Sequence, residues 1–207
     1  MNKKPLSVRI IHSLLIFVTF AIPLFFSKQF VFPFTQGKTF LFYSLIQIAL
    51  AIWLYVVLAE KKYLPSFHPI LISGGIFLFL YTISGIFGVD PLMSFGSNFF
   101  RMSGLIFLYH IGIFVLLVAS TAKDHRTWNN IFTAIVLSGA IAASINYLVT
   151  LGIDVLPINP LGGSTIGNSS YAGVYLLFAF FFALFLFPKA TKKKKVLLGS
   201  IAILIFF

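Results

Sequence analysis

The pattern of polar and apolar positions along the chain is coarse: long stretches without any charge alternate with short segments rich in Lys, Pro, Gly, Ser and Asn. Uncharged runs near the length of a membrane-spanning helix, about 20 residues, occupy 10–27, 39–59, 69–88, 103–122, 129–150 and 171–188. Each predicts a helix. A further apolar run, 196–207, is too short to cross a hydrocarbon layer of about 30 Å at about 1.5 Å per residue. The expected fold is therefore all-α: a polytopic transmembrane helical bundle with six full spans and a truncated seventh. A helix ending inside lipid would leave carbonyls unsolvated. The sequence 1–207 is thus expected to be one transmembrane domain, the amino-terminal part of a longer protein.

Composition agrees with this pattern. Of 207 residues, 59% are hydrophobic and 9% charged, with 27 Phe and a mean hydropathy of +1.03, more apolar surface than a soluble core of this size hides. The opening "MNKKPLSVRI" and the run after it resemble a signal peptide, but no A-x-A-like site precedes "SKQFVFPF", which predicts a retained first span. With no cysteine, disulfides, Cys-based zinc sites and thiol nucleophiles are excluded.

The net charge of +11 does not indicate nucleic acid, because the basic residues sit in clusters between apolar blocks. Their distribution predicts orientation instead. Lys3, Lys4, Arg9, Lys61, Lys62, Lys123, Arg126, Lys189 and Lys192 to Lys195 flank one side of the expected spans, against Lys28, Lys38 and Arg101 on the other. The positive-inside rule places the side with twelve, and with it the amino terminus, in the cytoplasm. The outward loops then carry the turn-rich sequence, including "FGVDPLMSFGSNFFRMSGL" (87–105).

Every Asp, Glu, Lys and Arg falls in a loop or at an expected helix end, so the buried ionisable pairs of proton- or ion-coupled transporters are missing. His110 and Asn146 lie within spans. A single His without an acidic partner is expected to be packed or backbone-bonded, and Asn146 to bond between helices. Arg101 stands just before an outward helix start, where unpaired N–H groups and the helix dipole favour an anion. Lys38 and Thr39 in "QGKT", and Asn168, Ser169 and Ser170 in "IGNSS", mark the other two outward helix starts. Three amino ends could converge on one anion. Equally, Arg101 could snorkel to head groups while Asn168 or Ser169 only caps a helix. "GGSTIGNSS" lacks the lysine of a phosphate-cradling loop, "DP" at Asp90-Pro91 reads as a turn, and Lys192 to Lys195 read as an anchor against anionic lipid. No metal-ligating cluster or Ser-His-Asp set is visible.

Three segments, "FPFTQGKTFLF" (32–42), "FGVDPLMSFGSNFFRMSGL" (87–105) and "TIGNSSYAGVYLL" (165–177), together resemble the amino-terminal half of the O-antigen ligase superfamily. In that family a GK precedes a helix, "S-x-x-F-G-x-D-x-x-x-S-F" leads to "x-R-x-x-G-L", and "G-N-x-x-Y" opens a later helix. The resemblance spans residues 30–180. Phe100 stands where an acidic residue is common, and "GNSSYAG" has Ser where Pro is frequent. The resemblance implies a membrane glycosyltransferase, ligating or polymerising a glycan from undecaprenyl diphosphate at the outer face of a bacterial cytoplasmic membrane. No cofactor is expected, and the partners are the lipid-linked glycan and membrane lipids. Arg101, Lys38, Asn168 and Ser169 become candidate lipid-diphosphate-binding residues. The family's main catalytic arginines and histidine lie in a large outward loop and later helices, so 1–207 is expected to be incomplete for catalysis. The alternatives are a small-molecule permease or channel and a non-catalytic membrane scaffold.

Overall fold

The computed structural model describes residues 4–153, 155, 163–188 and 190–206. Among these the chain is helical and contains no strand. Eight α-helices follow one another: α1 Leu6–Leu24, α2 Gln36–Ala59, α3 Pro69–Ile86, α4 Pro91–Gly96, α5 Leu105–Thr121, α6 His125–Thr150, α7 Ser169–Leu186 and α8 Lys192–Phe206. Short 3-10 turns stand at Lys61–Tyr63 and Ser164–Ile166. In lipid the backbone must satisfy its own N–H and C=O groups, and a helix does so within one segment. Helices α1, α2, α3, α6 and α7 are long and apolar enough to cross a membrane, and α5, with 17 residues, is a shorter apolar helix. The protein is a helical membrane bundle.

The expected runs match helices in the structure, but the ends differ. α1 begins at Leu6 and takes in Arg9, and α2 begins at Gln36 and takes Lys38 into its first turn. α8 starts at Lys192, so the lysine run is the first turn of a helix and not a loop. Lysine loses little rotamer freedom in a helix, and a scan for uncharged runs cuts such helices short. Asp90-Pro91 starts α4 instead of making a simple turn: Asp90 is its N-cap and Pro91 its first residue, the position where a missing N–H costs nothing.

The chain forms two compact units, Met1–Leu15 with Lys28–Asp124, and Ile16–Ser27 with His125–Phe207. In the first, α5 packs against α2 and α3, and Val8, Ile11, Leu15, Ile46, Ala49, Leu105 and Leu117 are buried. α3 meets α5 where glycine permits it. A Cβ on Gly85 would lie 2.6 Å from Leu105 Cδ1, and one on Gly112 2.8 Å from Leu78 Cδ1. The starts of α2 and α5 and the end of α3 share one end of this unit. Lys4, which pairs with Asp124, and Lys123, which donates to the Lys62 carbonyl at 2.6 Å, mark the other.

In the second unit, α6, α7 and α8 pack on one another around Val136, Ala143, Ala179, Ala183, Leu186, Ile201, Ala202 and Ile205. A Cβ on Gly139 would sit 2.7 Å from the Ala179 Cβ. In lipid, where burial of apolar area gives no net drive, such close backbone approach supplies the dispersion contact that holds helices together. Stacking of Phe132 on Phe182, at 4.5 Å between ring centroids, extends the seam. Ser138 and the Tyr175 hydroxyl share a hydrogen bond across it.

Candidate functional site

Arg101 lies in a short loop between α4 and α5 whose shape is over-determined. At its start the Asp90 carboxylate accepts the Met93 N–H at 3.0 Å, and the Asp90 carbonyl accepts the Ser94 hydroxyl at 2.9 Å. α4 ends at Ser97, with φ 60°. Asn98 then closes a tight turn, its Oδ1 accepting the Arg101 N–H at 2.8 Å and its carbonyl the Met102 N–H at 3.0 Å. Met102, at φ 49°, is again left-handed. Gly104 follows as the N-cap of α5; a Cβ there would lie 2.4 Å from the Phe95 carbonyl oxygen. Two non-glycine residues at positive φ thus bracket the Phe99–Arg101 segment.

The loop is bonded to the start of α2. The Gln36 amide donates to the Phe99 carbonyl at 3.1 Å, and its Oε1 accepts the Phe32 N–H at 3.2 Å. Thr35 Oγ1 donates to the Phe100 carbonyl at 3.2 Å, and the Phe32 and Phe100 rings lie 4.6 Å apart. Gln36 is buried, at 1% exposure. Each left-handed non-glycine residue costs about 1–3 kcal/mol and each bond returns about 0.5–1.5 kcal/mol. Two side-chain bonds tie the loop to α2, Gln36 to the Phe99 carbonyl and Thr35 to the Phe100 carbonyl, and they offset part of the strain of the two positive-φ residues.

This arrangement presents Arg101 at the surface beside the exposed rings of Phe99 and Phe100. Among the described residues no carboxylate pairs with its guanidinium. Lys38, half-buried in the first turn of α2, belongs to the segment on which the Arg101 loop is docked. The start of α2 and the loop before α5, two of the three outward helix starts expected to converge, are joined by these bonds.

Asn168 and Ser169 belong to the second unit. Asn168 caps α7, its Oδ1 accepting the Ser170 and Tyr171 N–H groups at 3.0 and 3.2 Å, and Ser169 is the exposed first residue of the helix. The loop before it is compact. A Cβ on Gly163, at φ 104°, would lie 2.5 Å from the Asn168 nitrogen. Asn168 thus performs the capping role that its residue type favours.

His110 and Asn146 resolve differently. His110 Nδ1 lies 2.7 Å from the Ile106 carbonyl, which can only accept, so Nδ1 carries the proton and Nε2 accepts the Gln47 amide at 3.1 Å. Its ring stacks on Tyr43 at 3.9 Å. Both nitrogens are engaged in packing bonds, as expected of a lone histidine. Asn146 makes no side-chain hydrogen bond to another helix among the described residues; Ser138 and Tyr175 hold that role.

Gln36 and Asn98 were not singled out from the sequence, although an amide at the start of an apolar helix is a visible oddity. Neither was the cluster at the far end of the first unit, where Lys4 pairs with Asp124 and buried His12 bonds through Nε2 to the Thr121 carbonyl at 3.0 Å. These partners lie far apart in sequence. No group of His, Cys, Asp and Glu able to hold a metal ion exists among the described residues. No protein-family model, curated protein or solved structure matches the chain.

Proposed function

We propose that the protein is an O-antigen ligase-like glycosyltransferase of a bacterial cytoplasmic membrane, handling a glycan carried on undecaprenyl diphosphate at the outer face. In this reading α1, α2, α3, α5, α6 and α7 cross the membrane and the amino terminus is cytoplasmic. The lysine distribution supports the orientation.

The observation that carries the reading is the Arg101 loop: a guanidinium that no carboxylate among the described residues pairs with, beside exposed aromatic rings, on a strained turn bonded to a second helix start. As the glycosyl C–O bond breaks, negative charge develops on the departing diphosphate. A guanidinium meets two phosphate oxygens with a planar fork, and interfacial surroundings strengthen the attraction relative to water. Lys38 adds a point charge from the neighbouring helix start.

Deleting the gene tests the activity. The proposal expects the lipid-linked glycan to accumulate while its acceptor goes unmodified; unchanged levels of both would contradict it. Orientation is tested separately, because the chain has no native cysteine. An impermeant thiol reagent applied from outside should label Ser103→Cys and spare Ser66→Cys, both at exposed positions. The reverse pattern would invert the topology.

A further inference from the structure

The first unit contains an open groove of about 1120 Å³ between α3 and α5, lined among others by Phe67, Ile70, Gly74, Gly75, Ile113 and Leu116. It is a wedge. At one end the helices touch, through Gly85 on Leu105, the Thr82 hydroxyl 2.7 Å from the Tyr109 hydroxyl, and Gly112 on Leu78. Toward the start of α3 they part, and neither Gly74 nor Gly75 has an atom within 4 Å of where a Cβ would stand. The groove exceeds the usual small-molecule pocket of about 300–1,000 Å³ and offers almost no polar group to a compact ligand.

Its wide end is basic. Lys61 and Lys62 stand two residues before the groove-lining segment Pro65, Ser66 and Phe67, and Lys123 donates to the Lys62 carbonyl at 2.6 Å. Two carboxylates stand at this end of the unit, Glu60 on Lys62 at 2.5 Å and Asp124 on Lys4. Lys61 and Lys62 are exposed, and at this end the four lysines Lys4, Lys61, Lys62 and Lys123 outnumber the two carboxylates, Glu60 and Asp124. A long apolar slot with cations at one mouth matches one kind of molecule: an acyl chain bearing an anionic head group.

We infer that the wedge between α3 and α5 holds a phospholipid with an anionic head group, its chains against Gly74 and Gly75 and its phosphate among Lys61, Lys62 and Lys123. The site stands apart from the Arg101 loop and does not depend on the glycosyltransferase reading.

Native mass spectrometry of the whole protein, released from detergent after incubation with phosphatidylglycerol or phosphatidylcholine, tests it. One phosphatidylglycerol should remain bound, with a preference over phosphatidylcholine of roughly thirtyfold, about fivefold for each of two exposed lysines. Gly75→Leu, which extends into open space, should abolish retention of both lipids. The double variant Lys61→Gln, Lys62→Gln keeps the apolar walls and should lose only the preference; Lys192→Gln with Lys193→Gln should keep it. Equal retention of the two lipids by the unaltered protein would overturn the inference. So would retention that survives Gly75→Leu, or a dimer in place of bound lipid that Gly75→Leu dissolves, which would assign the groove to a second copy.

Discussion

The seam between α6 and α7 and the junction between α2 and the Arg101 loop hold their parts together by opposite means. At the seam, Gly139, Ala143, Ala179 and Ala183 let backbones approach closely, and the Tyr175 hydroxyl bonds to Ser138 and to the Ile135 carbonyl. At the junction, Gln36, Thr35 and Asn98 fasten a loop with two left-handed non-glycine residues. Close packing of small residues is the ordinary way to hold helices in lipid. A strained loop secured by side-chain amide and hydroxyl bonds maintains a geometry that stability alone does not require. The difference marks the junction as the place to look for chemistry.

The contrast can be broken first at the seam. Gly139→Val places atoms where the Ala179 Cβ already stands, and neither backbone can yield locally. Overpacking of this kind costs about 1–3 kcal/mol, and the upper end is expected here. Denaturant unfolding in detergent should show a loss near that size, whereas an unchanged midpoint would mean that α6 and α7 do not pack as described.

Gln36→Leu comes next. It removes a buried amide and leaves the Phe99 carbonyl and the Phe32 N–H without their partner, a penalty of about 1–3 kcal/mol if the loop stays docked. The loop is expected to detach instead, limiting the stability loss to about 1 kcal/mol while glycan transfer falls tenfold or more. Equal small losses in both would remove the junction's claim to positioning Arg101. The smallest effect belongs to Tyr175→Phe, which removes the hydroxyl that Ser138 shares and should cost about 0.6 kcal/mol, the usual worth of such a bond between membrane helices. A cost above 2 kcal/mol would show that polar bonds, not small-residue packing, dominate the seam.

The helices of this fold were legible because apolar runs of spanning length have few alternatives in lipid. Their ends were not. Lys38 and Lys192 to Lys195 break an uncharged run yet continue a helix, and Asp-Pro serves a turn and an N-cap equally well. Arg101 was legible as the only arginine between Arg9 and Arg126. The bonds that hold its loop were not, since Gln36 and Phe99 stand 63 residues apart and only the folded chain joins them. Asn168 announced a helix start, so its place followed from residue type, whereas residue type left capping and anion binding equally open and only the folded chain shows the capping bonds.

Glycan transfer by Arg101 variants at matched membrane expression tests the central claim most directly. Arg101→Lys keeps the charge but loses the planar fork, and Arg101→Ala loses both. Transfer should therefore fall stepwise, reaching about ten- to hundredfold for Ala, the equivalent of about 1.5–3 kcal/mol for a charge-assisted bond. Because Arg101 is exposed, unfolding should be unchanged in both variants. Full transfer by Arg101→Ala would contradict the account and leave Arg101 as an interfacial anchor.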